Sequence, residues 1–297
     1  MNNNNSSIWR RLFILVGLVM CGVLLSAVPG FMLVELIPDK VYLERALQLA
    51  GSIIIFVLPA IVFVRIFGGE VCDGLLLSRA TDRRLWLPLF LSMLLLQPSV
   101  NLIGFINSQM SFPEFMSPVE IWMRKMEEMA RGQLLLFFDD ASLPAVAANM
   151  LVMAVTAGFA EEVFFRGALM HALSGKSPAG HAAIWISAAI FSAIHVQFYG
   201  FLPRMLLGAY FGYLVCWSRS LWPAVFVHFA NNALLVALSS IPSLKEMSVA
   251  TGEVPKEEVG LYVLGSVLTL PLFAWCVKYV YGLCSRSEGA ATSQSSR

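Results

Sequence analysis

The chain has 297 residues, of which 58% are hydrophobic and 13% charged, with a mean hydropathy of +0.74. A composition this apolar lies outside the usual range of soluble domains and marks an integral membrane protein. The net charge of +1, without a long run of one sign, excludes a basic nucleic-acid surface and an acidic interaction tail.

A spanning helix needs ~20 predominantly apolar residues, and that length fits eight stretches, at about 12–36, 46–67, 86–106, 143–172, 181–200, 203–218, 221–241 and 259–283. The expected fold is therefore all-α, a polytopic bundle of about eight transmembrane helices. The first stretch resembles a secretory signal, but its apolar run continues to about Ile37, beyond the ~7–15 residues of a signal core, so it is read as a retained helix. Lysines and arginines favour a cytoplasmic N-terminus, most clearly through Arg79, Arg83 and Arg84 in SRATDRR, and both termini then lie inside. An inner, plasma-membrane location is the expectation.

Between the third and fourth stretches, SPVEIWMRKMEEMARGQLLLFF sets Ile121, Met126 and Met129 among charges and predicts an amphipathic helix on the outer face. It reads as a structural collar or, alternatively, as a substrate-guiding element. The polar ends, 1–11 and 285–297, have nothing to pack and predict disorder. That leaves one domain: N-terminal helices with the outer helix over 12–142, a polar-containing core over 143–241, and a last loop and helix over 242–284. Cys21, Cys72, Cys216, Cys276 and Cys284 show no CxxC pairing or zinc spacing and read as small apolar residues.

Polar residues inside the apolar stretches carry the functional signal. A charge at the centre of a membrane helix costs ~2.5–3.5 kcal/mol on insertion scales, yet TAGFAEEVFFRGALMHAL holds three. Glu162 and Arg166 are four apart with the acid first, so they can neutralise each other. Glu161 lies about 100° around the helix and lacks a local partner. The next stretch, HAAIWISAAIFSAIHVQFYGF, carries His195 late. An antiparallel hairpin about SGKSPAG sets His195 at the depth of Glu161. In LWPAVFVHFANNALLVALSSI, His228 and Asn232 are four apart on one face, with Asn231 beside them.

Such groups suit acyl hydrolysis. A desolvated glutamate is a general base, so Glu161 can take a proton from water held by His195, while His228 and Asn232 offer N–H donors to an oxyanion. No GxSxG, HExxH or GxGD is present. One carboxylate and two imidazoles also make an acceptable zinc set, and the sequence leaves zinc and metal-free water equally open.

The three elements EEVFFR (Glu161, Glu162, Arg166), FSAIH (Phe191, His195) and HFANN (His228, Asn232), in this order on successive apolar helices, resemble the CPBP family, also called Abi, which includes the type II CAAX prenyl endopeptidase. The resemblance covers 143–241. It implies an eight-helix intramembrane glutamate protease, long described as a metalloprotease, acting near the cytoplasmic side. It also implies that Glu161 activates water with His195, that His228 and Asn232 form the oxyanion site, and that Glu162 and Arg166 brace it. The expected partners are the bilayer and a peptide or membrane-protein substrate, prenylated or not, and no nucleic acid. His228 lies only a few residues into its helix, which requires that helix to be long or tilted. His171 and His181 read as interfacial, Arg204 as a helix-end anchor, and Trp217 and Trp222 as interfacial aromatics. The competing reading is a non-proteolytic membrane scaffold or bacteriocin-immunity protein that keeps the motifs for packing. A small transporter is weaker, since no paired discontinuous helices in two related halves are visible.

Overall fold

The structure is a computed structural model and describes residues 7–33, 37, 39–67, 69–175, 179–241, 244 and 254–295. Residues 1–6 of the expected N-terminal tail, the turn at 176–178 with Lys176, and most of the outer loop 242–253 with Lys245 lie outside the described residues. Among those described, the regular elements are helices and none is a strand. They are α1 (Ile8–Leu33), α2 (Lys40–Ile66), α3 (Arg83–Ser108), α4 (Ser117–Phe137), α5 (Leu143–Ser174), α6 (His181–Ala193), α7 (Phe201–Ser218), α8 (Trp222–Ser239) and α9 (Val259–Ser295).

Among the described residues, six helices, α1, α2, α3, α5, α8 and α9, are long and apolar enough to cross a membrane, which fits the expected bundle without confirming its count of eight. The chain is thus a multi-pass integral membrane protein. The other two stretches differ from these for separate physical reasons. α6 has 13 residues and, at ~1.5 Å per residue, is too short to cross a ~30 Å hydrocarbon core. α7 has 18 residues, but Arg204, Pro203 and its glycines and tyrosines dilute its apolarity. The stretch expected as one helix over 181–200 is broken, because α6 ends at Ala193 and a 3₁₀ turn, Phe198–Gly200, leads into α7. α9 runs on through the polar tail to Ser295, where no proline stops it.

The helices pack around Phe63, Leu89, Phe165, Phe211, Leu221 and Val227, all buried. Phe13, Leu24, Leu25, Leu268 and Trp275 stay exposed on the outer helices, a surface that lipid, not water, must cover. Where lipid offers no hydrophobic drive, small residues let backbones approach. A Cβ at Gly22 of α1 would stand 2.6 Å from the Ile54 carbonyl oxygen of α2, and one at Gly265 of α9 would stand 3.2 Å from Pro98 of α3. The approach that matters most for function is at Gly158 of α5, where a Cβ would meet the Phe229 backbone nitrogen of α8 at 3.1 Å.

α4 is fastened to the bundle at its end and near its start. Its last carbonyl, Phe137 O, accepts from Asn149 Nδ2 at 2.7 Å and from Arg45 Nη2 at 3.3 Å. Nearer its start, Trp122 packs on Phe198 with ring centroids 5.5 Å apart. With that docking Met123 is buried, while Ile121 and Met129 of the expected outer amphipathic helix stay exposed.

Gly158→Val would push α8 away from α5. A melting curve of detergent-solubilised protein is expected to show a loss of about 1–3 kcal/mol, the usual range for overpacking.

Candidate active site

α5 is not a uniform α-helix. Two wider π-helical segments, Met150–Thr156 and Val163–Leu169, flank the short α-helical stretch Ala157–Glu162 that ends in the paired glutamates. Such widenings re-aim side chains and concentrate at functional sites. Neighbouring helices bond to carbonyls of both segments: Asn232 Nδ2 of α8 donates to Met153 O at 2.9 Å, and Ser187 Oγ of α6 donates to Phe165 O at 3.0 Å.

The two glutamates have different surroundings. The Glu162 side chain is fully buried with Arg166, whose Nη1 donates to Glu162 Oε1 at 2.7 Å, the i, i+4 pair anticipated from spacing. Arg166 Nη2 donates to Gly208 O of α7 at 2.7 Å. Aromatic faces close the pocket, with the guanidinium carbon 4.8 Å from the Phe191 ring centroid and 5.4 Å from that of Phe211. A Cβ at Gly208 would stand 3.1 Å from Arg166 Nη2, so glycine makes room for this charge. His228 completes the group: its Nδ1 lies 2.8 Å from Glu162 Oε1, and its ring stacks on Phe211 at 5.1 Å.

Glu161 has no arginine in contact. Among the described residues, the side chain within ion-pair distance is that of His228, whose Nε2 is 3.7 Å from Glu161 Oε2. His228 therefore bridges the two acids, Nδ1 to Glu162 and Nε2 towards Glu161. The concern about its depth resolves through the Gly158–Phe229 approach, which draws this part of α8 onto α5.

His195 is placed differently from expectation. It stands in the turn after α6 rather than inside a helix, and the next residue, Val196, has a φ of 55°. A β-branched residue in that left-handed region is strained, so the turn is held by its surroundings. The hairpin register is nevertheless the anticipated one, since Phe165 and Phe191, which share the register of Glu161 and His195, touch with centroids 5.2 Å apart. His195 Nδ1 lies 2.8 Å from Phe191 O. A carbonyl only accepts, so Nδ1 carries the proton and Nε2 is left for other work. Phe191 packs edge-on against both His195 and His228, at 5.1 and 5.9 Å.

Residues 143–234 match the family model described as type II CAAX prenyl endopeptidase Rce1-like. This segment is Rce1-like. The resemblance read from the three motifs is thereby matched over this segment. No curated protein matches the chain, and neither does any solved structure. The Rce1-like segment runs from the start of α5 into α8 and contains Glu161, Glu162, Arg166, His195, His228 and Asn232.

Several residues around the Rce1-like segment escaped the sequence reading. Arg204, taken as a helix anchor, donates through Nη2 to Gln197 Oε1 at 2.9 Å and through Nη1 to Gln197 O at 3.3 Å, and it interacts electrostatically with Glu161. Asn107 of α3 brackets the same turn: its Nδ2 donates to Phe198 O at 3.1 Å, and its Oδ1 accepts from Leu202 N at 2.7 Å. From α4, Glu127 Oε2 accepts from Tyr199 N at 3.4 Å and Arg124 covers the Tyr199 ring at 4.7 Å. The sequence trace of Asn107 was that of one polar residue among several in an apolar helix, with nothing to single it out. His181 Nδ1 meets Tyr213 Oη at 2.9 Å, and His171 lies edge-on to Phe63, both apart from the glutamates.

Among the described residues, no three His, Cys, Asp or Glu side chains converge to hold a metal ion. Nδ1 of both histidines in the expected zinc set is engaged, by Phe191 O and by Glu162, which leaves Nε2 of each as the nitrogen able to ligate.

Arg166→Met would leave a buried carboxylate without its cation, and removing one partner of such a pair costs about 3–5 kcal/mol. The expected outcome is a large fall in melting temperature that is partly reversed by adding Glu162→Gln, measured on purified protein in detergent.

Proposed function

We propose that the protein is an intramembrane endopeptidase that hydrolyses a peptide bond of a membrane-associated or CAAX-like peptide with water activated by Glu161. The observation that carries this reading is the asymmetry of the paired acids within the Rce1-like segment. Glu162 Oε1 is held by both Arg166 and His228, whereas among the described residues Glu161 has no arginine within ion-pair distance and one imidazole nitrogen at 3.7 Å. A carboxylate without a cation in direct contact is free to take up a proton, as a general base must. Catalytic hydrogen bonds are often long before substrate arrives and tighten in the complex.

In this reading Glu161 takes a proton from water as the oxygen attacks the scissile carbonyl carbon. Negative charge builds on the carbonyl oxygen, where Asn232, with one Nδ2 hydrogen on Met153 O and a second to offer, supplies a donor, joined by His228 Nε2 once that nitrogen carries a proton, its Nδ1–H being held by Glu162. The proton on Glu161 then passes to the departing amine as the C–N bond breaks, leaving a carboxylate and an amine. His195, with Nε2 uncommitted, positions the water. Glu162 and Arg166 do not react; they fix the His228 ring. The cytoplasmic arginines Arg79, Arg83 and Arg84 support an inside N-terminus in an inner membrane, with the reaction near the cytoplasmic face.

The test uses purified protein in lipid nanodiscs and an internally quenched peptide ending in cysteine, two aliphatic residues and a variable residue, with the cysteine either farnesylated or free. Wild type is expected to cleave it, and Glu161→Gln is expected to lose roughly 10²–10⁴-fold in kcat while melting like wild type. A Glu161→Gln variant that keeps the wild-type rate overturns the assignment of the base. Preference for the farnesylated peptide places the substrate among prenylated proteins, and indifference places it among other membrane-associated peptides.

A further inference from the structure

Asn232 is not aimed by its own helix alone. Its Oδ1 accepts from Asn231 Nδ2 at 3.3 Å, and Asn231 Oδ1 in turn accepts from Gln97 Nε2 of α3 at 3.0 Å. Gln97 Nε2 also reaches Met93 O at 3.4 Å. Three primary amides thus form a line running from Met93 O on α3, through Gln97, Asn231 and Asn232, to Met153 O on α5.

An amide side chain can be turned end for end at almost no steric cost, so which end faces a ligand is set by its partners. Here both ends of the line are backbone carbonyls, which only accept. Met153 O requires the nitrogen of Asn232. The oxygen of Asn232 must then receive a donor, which orients Asn231, and the oxygen of Asn231 must receive one from Gln97. Met93 O at the far end demands a nitrogen from Gln97 as well. The polarity is therefore the same read from either end, and turning any one amide would set oxygen against oxygen or nitrogen against nitrogen. The three amides are partly buried, so such a mismatch would leave polar groups unpaired at a cost.

We propose that Gln97, acting through Asn231, is a positioning residue that holds the Asn232 amide with its nitrogen towards the reacting groups. Gln97 lies on α3, outside the Rce1-like segment 143–234. The site is then completed by a helix that the family model does not cover. This inference rests on the proposed role of Asn232 in stabilising the oxyanion, and its consequence is specific. Breaking the line upstream loosens a donor that matters in the transition state, so turnover falls while ground-state binding of substrate does not.

The test compares wild type with Gln97→Met, which keeps length and volume but removes the donor, on the quenched peptide used above. The expected result is a fall in kcat of about 10- to 100-fold, less than or equal to that of removing an oxyanion donor outright, with KM unchanged. In an Asn232→Ala background the same substitution is expected to add nothing to the loss in kcat, because the residue it aims is gone. Asn231→Leu, which cuts the line at its next joint, should behave as Gln97→Met does, so that misfolding of one variant leaves the other to decide. Wild-type kcat in Gln97→Met, losses that multiply with Asn232→Ala, or a rise in KM alone each overturn the proposal. Failure of both variants to fold makes the line purely structural and overturns it as well. If wild type cleaves no peptide, the endopeptidase reading itself has failed, an outcome distinct from an active wild type with a silent Gln97.

Discussion

The bond between Arg166 and Glu162 is the constraint on which the rest of the site depends. Both side chains are withdrawn from solvent inside a helix that crosses the membrane, where an isolated charge is costly. A salt bridge in such surroundings does not by itself stabilise, because desolvation of both ions offsets their attraction unless further hydrogen bonds are made. Those bonds recruit other helices. Arg166 takes a carbonyl from α7 at Gly208, and Glu162 takes a ring nitrogen from α8 at His228. One intrahelical pair thus selects the neighbours of α5 and fixes the face that each presents.

Aromatic packing around the pair extends that selection. Phe191 and Phe211 lie against the guanidinium and also against His228, so each ring serves as a wall for the cation and as a rest for the imidazole. Close helix approach is permitted by glycine at two points, Gly158 towards α8 and Gly208 towards Arg166. Replacing the glycines would separate the charges from the partners that compensate them. The π-helical segments on either side of Glu161 and Glu162 belong to the same design, since one of their carbonyls anchors Asn232 and another anchors α6 through Ser187.

Local periodicity made much of this legible. The i, i+4 spacing of Glu162 and Arg166 announced their pairing, the spacing of His228 and Asn232 announced a shared face, and the hairpin read about SGKSPAG, which set Glu161 level with His195, has the register in which Phe165 meets Phe191. What escaped was set by contacts between distant segments. Whether Glu161 meets His195 or His228 depends on how closely α8 approaches α5, which a glycine decides and no hydropathy profile reports. The break after Ala193 was hidden because VQFYGF is apolar enough to continue a helix, and only the tertiary ties from Asn107, Glu127 and Arg204 bend it away. The burial of Met123 in α4 was not legible for the same reason: Trp122 docks on Phe198, and that contact between distant segments accompanies it.

Adjacent glutamates on a helix necessarily point in directions about 100° apart, so one cannot share the other's environment. Here that geometry separates two roles within a single dipeptide. Glu162 turns into the bundle and is consumed by structure; Glu161 turns towards the His228 Nε2 edge and retains a partner that can exchange a proton. A single imidazole spanning both acids couples the two roles, because any shift of Glu162 moves the ring that faces Glu161. The polar ties from α3 and α4 act on the remaining members, Asn232 through Gln97 and the His195 turn through Asn107 and Glu127. On the proposed reading, the segment from α5 to α8 supplies the reactive groups and helices outside it hold them in place, so the site belongs to the whole bundle and not to its most recognisable part alone.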